Sequence, residues 1–177
     1  MATEREIQKE MYSPDKSLKF IAYESDGNVI LKIYTEENKL TGTIITGIPM
    51  FQTRSVSWYK DNKILLKSTD VDLLITEKDN KWVPVPVGTV FSPDGKMIAV
   101  ITWSRGDKKV DLTIGKPDEL FSLRRAFDVL YRIPTNIELD ELIDVLSWDK
   151  DDLIELRVKD KKYYWQKQKD NTWKQAF

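Results

Sequence analysis

Acidic side chains are the most numerous groups in this sequence that could carry out chemistry, but their usual catalytic partners are missing. The chain has 177 residues with 29 Asp and Glu, no His and no Cys. These absences exclude thiol nucleophiles, Cys-based zinc sites and every Ser-His-Asp arrangement. Two facing acids, roughly 5 to 9.5 Å apart, could still hydrolyse a glycosidic bond. Since spacing singles out no such pair, we expect a protein that is not an enzyme, with a carboxylate-based hydrolase as an alternative.

One segment, from Glu138 to Glu155, concentrates these acids, and a basic segment follows it directly. A surface of this kind would steer a basic partner and raise its association rate. The plainer alternative is that the acids occupy solvent-facing positions of strands and loops. Arg157 to Lys169 then holds six basic residues against Asp160, so a net charge of -1 conceals two blocks of opposite sign. The acids of the first segment are Glu138, Asp140, Glu141, Asp144, Asp149, Asp151, Asp152 and Glu155.

Short motifs elsewhere in the chain indicate turns rather than ligand sites. Asp149 to Asp152 reads DKDD but lacks the glycine and the distal glutamate of an EF-hand loop. The Arg105-Gly106-Asp107 tripeptide has ordinary turn chemistry. The seven glycines form no phosphate-binding loop. We therefore expect no metal ion and no cofactor.

Composition also bounds the partners and the compartment. A net charge of -1 gives no reason to expect a nucleic-acid or membrane partner. No run approaches the roughly 20 apolar residues of a membrane span, and the first residues lack the apolar core of a signal peptide. We expect a soluble cytoplasmic protein, or an exported one if a leader has been removed, and leave its oligomeric state open.

Aromatic residues offer a second kind of binding surface. Trp103, Tyr163, Tyr164 and Trp165 could form a shelf that binds a glycan or a peptide. The other tryptophans in the repeated segments described next, Trp58, Trp82, Trp148 and Trp173, fall at equivalent places in those segments. Equivalent placement favours packing in a core for these four.

Four turn units organise the chain and would position these side chains. Residues 91–101 read FSPDGKMIAVI and residues 12–25 read YSPDKSLKFIAYES, with the second turn taken as one residue longer. VSWYKDNKILLKS and LSWDKDDLIELRV match each other in the same way. The units begin at Ser13, Ser57, Ser92 and Ser147, so like units alternate, which indicates duplication of a pair. A repeat near 40 residues, built of short strands, is typical of propeller blades.

The segment VFSPDGKMIAVI resembles the WD40-like repeat of TolB-type β-propellers, in which a Ser-Pro-Asp-Gly turn joins the first two strands of a blade. The resemblance implies a fold element and no chemistry. We therefore expect a mainly β single domain of four blade-like antiparallel repeats, forming a small or open β-propeller. The predicted repeats span about 10–48, 54–88, 89–116 and 144–177.

A helical insertion is predicted over 117–135, with one α-helix near 118–131. Leu120, Leu123, Phe127 and Leu130 follow helical spacing, and Pro117 and Pro134 bound the segment. Arg124 and Arg125 would lie on its wet face.

Together these observations predict a non-catalytic module that binds another protein, of basic charge, through the acidic segment and the helix with Arg124 and Arg125. A soluble inhibitor or immunity-type protein that neutralises a basic toxin is one concrete form.

Overall fold

The strands of the protein form four separate antiparallel sheets. The computed structural model describes residues 3–104, 107–122 and 125–176. Within these ranges the strands are β1 Arg5–Tyr12, β2 Leu18–Ser25, β3 Asn28–Thr35, β4 Leu40–Pro49, β5 Thr53–Tyr59, β6 Lys63–Ser68, β7 Leu73–Lys78, β8 Lys81–Pro86, β9 Thr89–Phe91, β10 Ile98–Trp103, β11 Lys109–Ser122, β12 Arg125–Glu138, β13 Leu146–Lys150, β14 Leu153–Val158, β15 Lys161–Lys167 and β16 Trp173–Ala176. A single 3₁₀ turn, Met50–Gln52, is the helical element of the described ranges. Among the described residues, no helix has the length and apolar character needed to cross a membrane.

Each sheet contains four strands that follow one another along the chain. Sheet A holds β1–β4 and sheet B holds β5–β8, and both belong to a first unit, Met1–Pro86. Sheet C holds β9–β12 and sheet D holds β13–β16, and both belong to a second unit, Val87–Phe177. The prediction of a mainly β protein with four antiparallel repeats is confirmed. The turn units at Ser13, Ser57, Ser92 and Ser147 each lie where the first strand of a sheet passes to the second.

The Ser-Pro-Asp turns are closed by side chains, as their residue types predict. The Ser92 hydroxyl donates to Asp94 Oδ1 at 2.7 Å, and the same carboxylate oxygen accepts the Lys96 backbone N–H at 3.0 Å. Ser13 donates to Asp15 at the same 2.7 Å, and the Ser17 N–H lies 2.9 Å from Asp15 Oδ1. The two turns have equal length, so the extra residue predicted for the first is wrong.

The predicted α-helix near 118–131 is wrong. The described part of this segment belongs to β11 and β12, which pair antiparallel, with Lys116 opposite Asp128 and Pro117 opposite Phe127. Along β12, from Tyr131 to Ile137, every second side chain is partly or fully buried and those between are exposed. This two-residue period takes precedence over the helical spacing because the backbone of β11 supplies the hydrogen bonds. Sheet C therefore continues to Glu138 and contains the described residues of the predicted insertion 117–135, which are 117–122 and 125–135.

Tryptophans contribute to the packing of each unit. In the first unit Trp58 packs on Phe20, with ring centroids 5.5 Å apart, and donates its indole N–H to the Met11 carbonyl at 2.7 Å. In the second unit Trp148 meets Trp173 edge to face at 5.5 Å, and both are buried. The predicted packing role is confirmed for Trp148 and Trp173, while Trp58 and Trp82 are half-buried.

Candidate functional site

A groove of about 740 Å³ opens in the second unit, where three connections of sheets C and D come together. The end of β12 and the connection to β13 form one side, and the β14–β15 hairpin forms the other. The loop before β11 adds Lys108. The floor is apolar and is made by Leu139, Val145, Val158 and Tyr163.

The acidic wall consists of Glu138, Asp140 and Glu141. Its position is set by Leu139, which is 5% exposed and donates its N–H to the Lys108 carbonyl at 3.1 Å. Because consecutive side chains of extended backbone point in opposite directions, burying Leu139 turns Glu138 and Asp140 toward solvent. The wall is therefore anchored by a core residue.

The basic wall consists of Arg157, Lys159 and Lys161, from the end of β14 and the turn into β15. The Arg157 N–H donates to the Val145 carbonyl at 2.7 Å, which ties this wall to the connection carrying the acids. The basic run was visible in the sequence, but its residues were not predicted as site residues. The charge pattern, combined with a strand, a turn and a second strand predicted over 154–167, could have identified these basic residues as part of a site.

The two walls influence each other electrostatically. Lys108 Nζ lies 2.7 Å from Asp140 Oδ1, and both side chains are largely exposed. The hydrogen bond and charge of Lys108 lower the pKa of Asp140, and the charge of Lys159 lowers it further. In turn, the Asp140 hydrogen bond and charge raise the pKa of Lys108. The influence of Lys159 on Asp140 connects the basic hairpin with the acidic wall.

The lining of the groove is balanced in formal charge, so the groove is not lined by acids alone, as a purely acidic face would be. Four acids are offset by four bases: Glu138, Asp140, Glu141 and Asp160 against Lys108, Arg157, Lys159 and Lys161. Near the groove, the acidic block is therefore neutralised by the basic block that follows it in sequence.

The remaining predicted acids lie outside the groove lining. Asp149, Asp151 and Asp152 surround the β13–β14 turn, at the other end of β14 from the groove, and are exposed. Glu155 Oε1 lies 3.7 Å from both Arg157 Nη2 and Lys162 Nζ. Asp144 is an exposed residue of the β12–β13 connection. The acidic segment therefore does not form one continuous surface. Of the predicted arginines, Arg125 begins β12 and Arg124 lies outside the described residues.

The four predicted aromatic binding residues do not form one shelf. Trp165 is completely buried opposite Ile154, so its predicted binding role is wrong. Tyr163 points to the same side of β15 as Trp165 and reaches the groove, whereas Tyr164 points to the other side of the strand. Trp103 is 47% exposed and donates its indole N–H to the Leu139 carbonyl at 3.0 Å. Only Tyr163 of this set lines the groove.

Within the described residues, no group of three or more acidic side chains is arranged to hold a metal ion. Asp140 is also poorly suited to act as a general acid, because a lowered pKa keeps its carboxyl ionised near neutral pH. The arrangement is instead suited to binding charged groups.

Neither the protein-family models nor the curated protein sequences contain a match to this chain.

Proposed function

We propose that the chain is a non-catalytic protein-binding module that holds a segment of its partner in the groove of the second unit. The observation that carries the proposal is the groove itself, whose lining combines acidic, basic and apolar side chains. A volume of about 740 Å³ is within the range typical of ligand sites. It would accommodate a few side chains of a polypeptide.

The walls have the properties of a binding site that is largely pre-formed. Each wall is tied by a backbone hydrogen bond, from Leu139 to Lys108 and from Arg157 to Val145. Pre-formed walls reduce the ordering cost that association would otherwise carry. This supports recognition of a partner without a large rearrangement.

The scaffold that we propose is an array of propeller-like blades. Support comes from the turn units, each of which joins the first two strands of a sheet. Within the first unit, the first strands of the two sheets contact each other, and so do the last strands. Neighbouring blades of a propeller pack in this way, and such blades commonly present binding surfaces.

A soluble inhibitor or immunity-type protein remains the concrete form that we propose. Glu138 and Glu141 would receive a basic side chain of the partner, because exposed carboxylates attract cations and fix their position. The partner would therefore carry at least one Lys or Arg in the captured segment.

Selection of peptides from a random library displayed on phage, against the immobilised chain, tests this proposal. Selected peptides should bind the double variant Glu138→Lys/Glu141→Lys at least about tenfold more weakly in calorimetric titration, equivalent to about 1.4 kcal/mol. The matched control is Asp149→Lys/Asp151→Lys, which makes the same charge change outside the groove and should bind as the wild type does. Equal affinity for wild type and the groove variant would contradict the proposal.

A further inference from the structure

We infer that the segment held in the groove is dipolar, with a basic group for the acidic wall and an acidic group for the basic wall. The inference rests on the proposed function and specifies the ligand of the same site. Its starting point is that the groove lining carries as many cations as anions.

Charges of both signs in the groove lining also lie outside close ion pairs. Lys108 is paired with Asp140, and Arg157 is paired with Glu155. Among the described residues, Glu138 and Glu141 on one wall and Lys159 and Lys161 on the other take part in no ion pair. Among the same residues, Asp160 of the lining takes part in no ion pair either, so three acids and two bases are available to a ligand.

A ligand of a single charge sign does not fit this arrangement. A purely basic segment would place its charges against the acidic wall but would also meet Lys159 and Lys161, and like charges at close range oppose binding. A purely acidic segment would meet the opposite penalty. A dipolar segment satisfies both walls at once.

The floor indicates what lies between the two charged groups of the ligand. Val145, Val158 and Tyr163 are partly exposed there and offer apolar contact. Tyr163 also packs against the core of the second unit, which fixes its ring. An aromatic or aliphatic residue between the two charges would cover this floor and exclude water from it. The ligand class is therefore a basic–apolar–acidic peptide.

Three families of synthetic fluorescent peptides test the inference, each with a central Phe and glycine spacers of increasing length. One family carries Lys at one end and Glu at the other, the second carries Lys at both ends, and the third carries Glu at both ends. In polarisation titrations with the full chain, the best Lys–Phe–Glu peptide should bind at least about tenfold tighter than any peptide of the other families.

The basic-wall variant Lys159→Glu/Lys161→Glu separates the possible ligands by sign. It should weaken the Lys–Phe–Glu peptide and strengthen the peptide with Lys at both ends. The matched control Lys167→Glu/Lys169→Glu changes two exposed lysines of the same basic block outside the groove lining and should change neither affinity. Circular dichroism of each variant confirms that folding is unchanged.

The outcomes distinguish this inference from the proposed function. Wild-type binding that is tightest for the peptide with Lys at both ends overturns the dipolar ligand but leaves an acidic-wall binding module in place. Absence of binding by every Lys–Phe–Glu peptide overturns the inference as well. The proposed function itself fails when phage-selected peptides are insensitive to Glu138→Lys/Glu141→Lys.

Discussion

Replacing Gly42 with alanine should break the contact between the two sheets of the first unit. Gly42 lies on β4 beside the ring of Trp82, which belongs to β8 of the neighbouring sheet. A Cβ atom at position 42 would lie 2.6 Å from Cδ1 of Trp82 and 3.5 Å from its Cγ and Nε1. The backbone of Gly42 is not in the left-handed region, so the ring alone is the obstacle to a side chain.

The expected cost follows from the overlap. Carbon atoms attract best at about 3.5–4.0 Å, so the added methyl group would overlap the ring by about 1 Å. Overpacking of this kind typically costs about 1–3 kcal/mol. Replacing a strand glycine with alanine also stabilises the fold by about 0.5 kcal/mol, because it reduces the conformational entropy of the unfolded chain. We therefore expect Gly42→Ala to lower the free energy of unfolding by about 0.5–2.5 kcal/mol, the difference between these terms.

Equilibrium unfolding in urea, followed by far-ultraviolet circular dichroism, measures this effect. Trp82→Leu provides the matched background, because a shorter side chain leaves room for the methyl group. In that background Gly42→Ala should be neutral or slightly stabilising, giving a coupling energy of about 1–3 kcal/mol in the double-mutant cycle. The reasoning is refuted if Gly42→Ala leaves the wild-type midpoint unchanged, or if it is equally destabilising in both backgrounds.

Three further predictions concern the turns and the support of the groove. Lys16 and Gly95 stand at matching places in two turns, and both have positive φ, 62° and 73°. Glycine adopts this conformation more easily than lysine, so Lys16→Gly should raise the free energy of unfolding and Gly95→Lys should lower it, each by about 0.5–1 kcal/mol and with a matching shift of the urea midpoint. The reverse order would contradict the equivalence of the two turns. The pKa of Asp94 is lowered by hydrogen bonds that its carboxylate accepts from the Lys96 backbone N–H and the Ser92 hydroxyl. The contribution of ionised Asp94 to stability is therefore complete above the ordinary carboxyl pKa of about 4 and is lost as the pH falls further. Unfolding measured between neutral pH and strong acid should show this loss, and Asp94→Asn should reduce it; an unchanged profile would count against the turn. The Thr135 hydroxyl donates to the Val110 carbonyl of β11 at 2.6 Å and accepts the Ile137 N–H at 3.1 Å. Because Thr135→Val removes both bonds, it should lower the free energy of unfolding by about 1–2 kcal/mol in urea unfolding. An unchanged free energy of unfolding would show that these bonds are not needed.

Elements whose signals are local were predictable from the sequence. The turn at Ser92 follows from Pro93, Asp94 and Gly95 alone, because each residue acts on the backbone within a few positions of itself. Since all four turn units were recognised in this way, the division into four sheets could be predicted. Closure of the sheets into a larger architecture depends on contacts between distant residues, which turn chemistry does not encode.

The β11–β12 hairpin shows why the segment near 118–131 was misread. The spacing of Leu120, Phe127 and Leu130 fits a helix, but Tyr131 and Ile133 also continue a two-residue alternation. Over short apolar segments the two periods overlap, and pairing with another strand decides between them. That pairing joins residues of β11 to residues of β12, so the composition of the segment alone could not settle it.

Only part of the groove could be predicted from the sequence. The acids of its first wall and the basic block that follows were both recognisable as charge runs, but their meeting across a groove depends on the β14–β15 hairpin. The side of β15 that faces the core was also unpredictable, because Tyr163, Tyr164 and Trp165 are consecutive aromatics without alternation. Register alone decides which of them is buried.

Sheets A and C make the same side-chain hydrogen bonds at one threonine but differ in the residues that follow it. Thr46 donates to a β3 carbonyl at 2.8 Å and accepts a backbone N–H at 3.1 Å, and Thr135 makes the same pair of bonds in sheet C. Five residues beyond each threonine stand Phe51, which is 85% exposed, and Asp140, whose side chain is 74% exposed. Because neither side chain is packed in a core, stability does not dictate the residue type at this position. The difference is therefore available for binding.

The variant Asp140→Phe tests whether this position has a structural role. The side chain of Asp140 is 74% exposed, so the variant should fold with a free energy of unfolding within about 0.5 kcal/mol of the wild type, as most surface substitutions do. It also removes the partner of Lys108, so the pKa of Lys108 in NMR titration should fall toward its ordinary value. A loss of more than about 1 kcal/mol would mean that Asp140 supports the fold and does not serve binding alone.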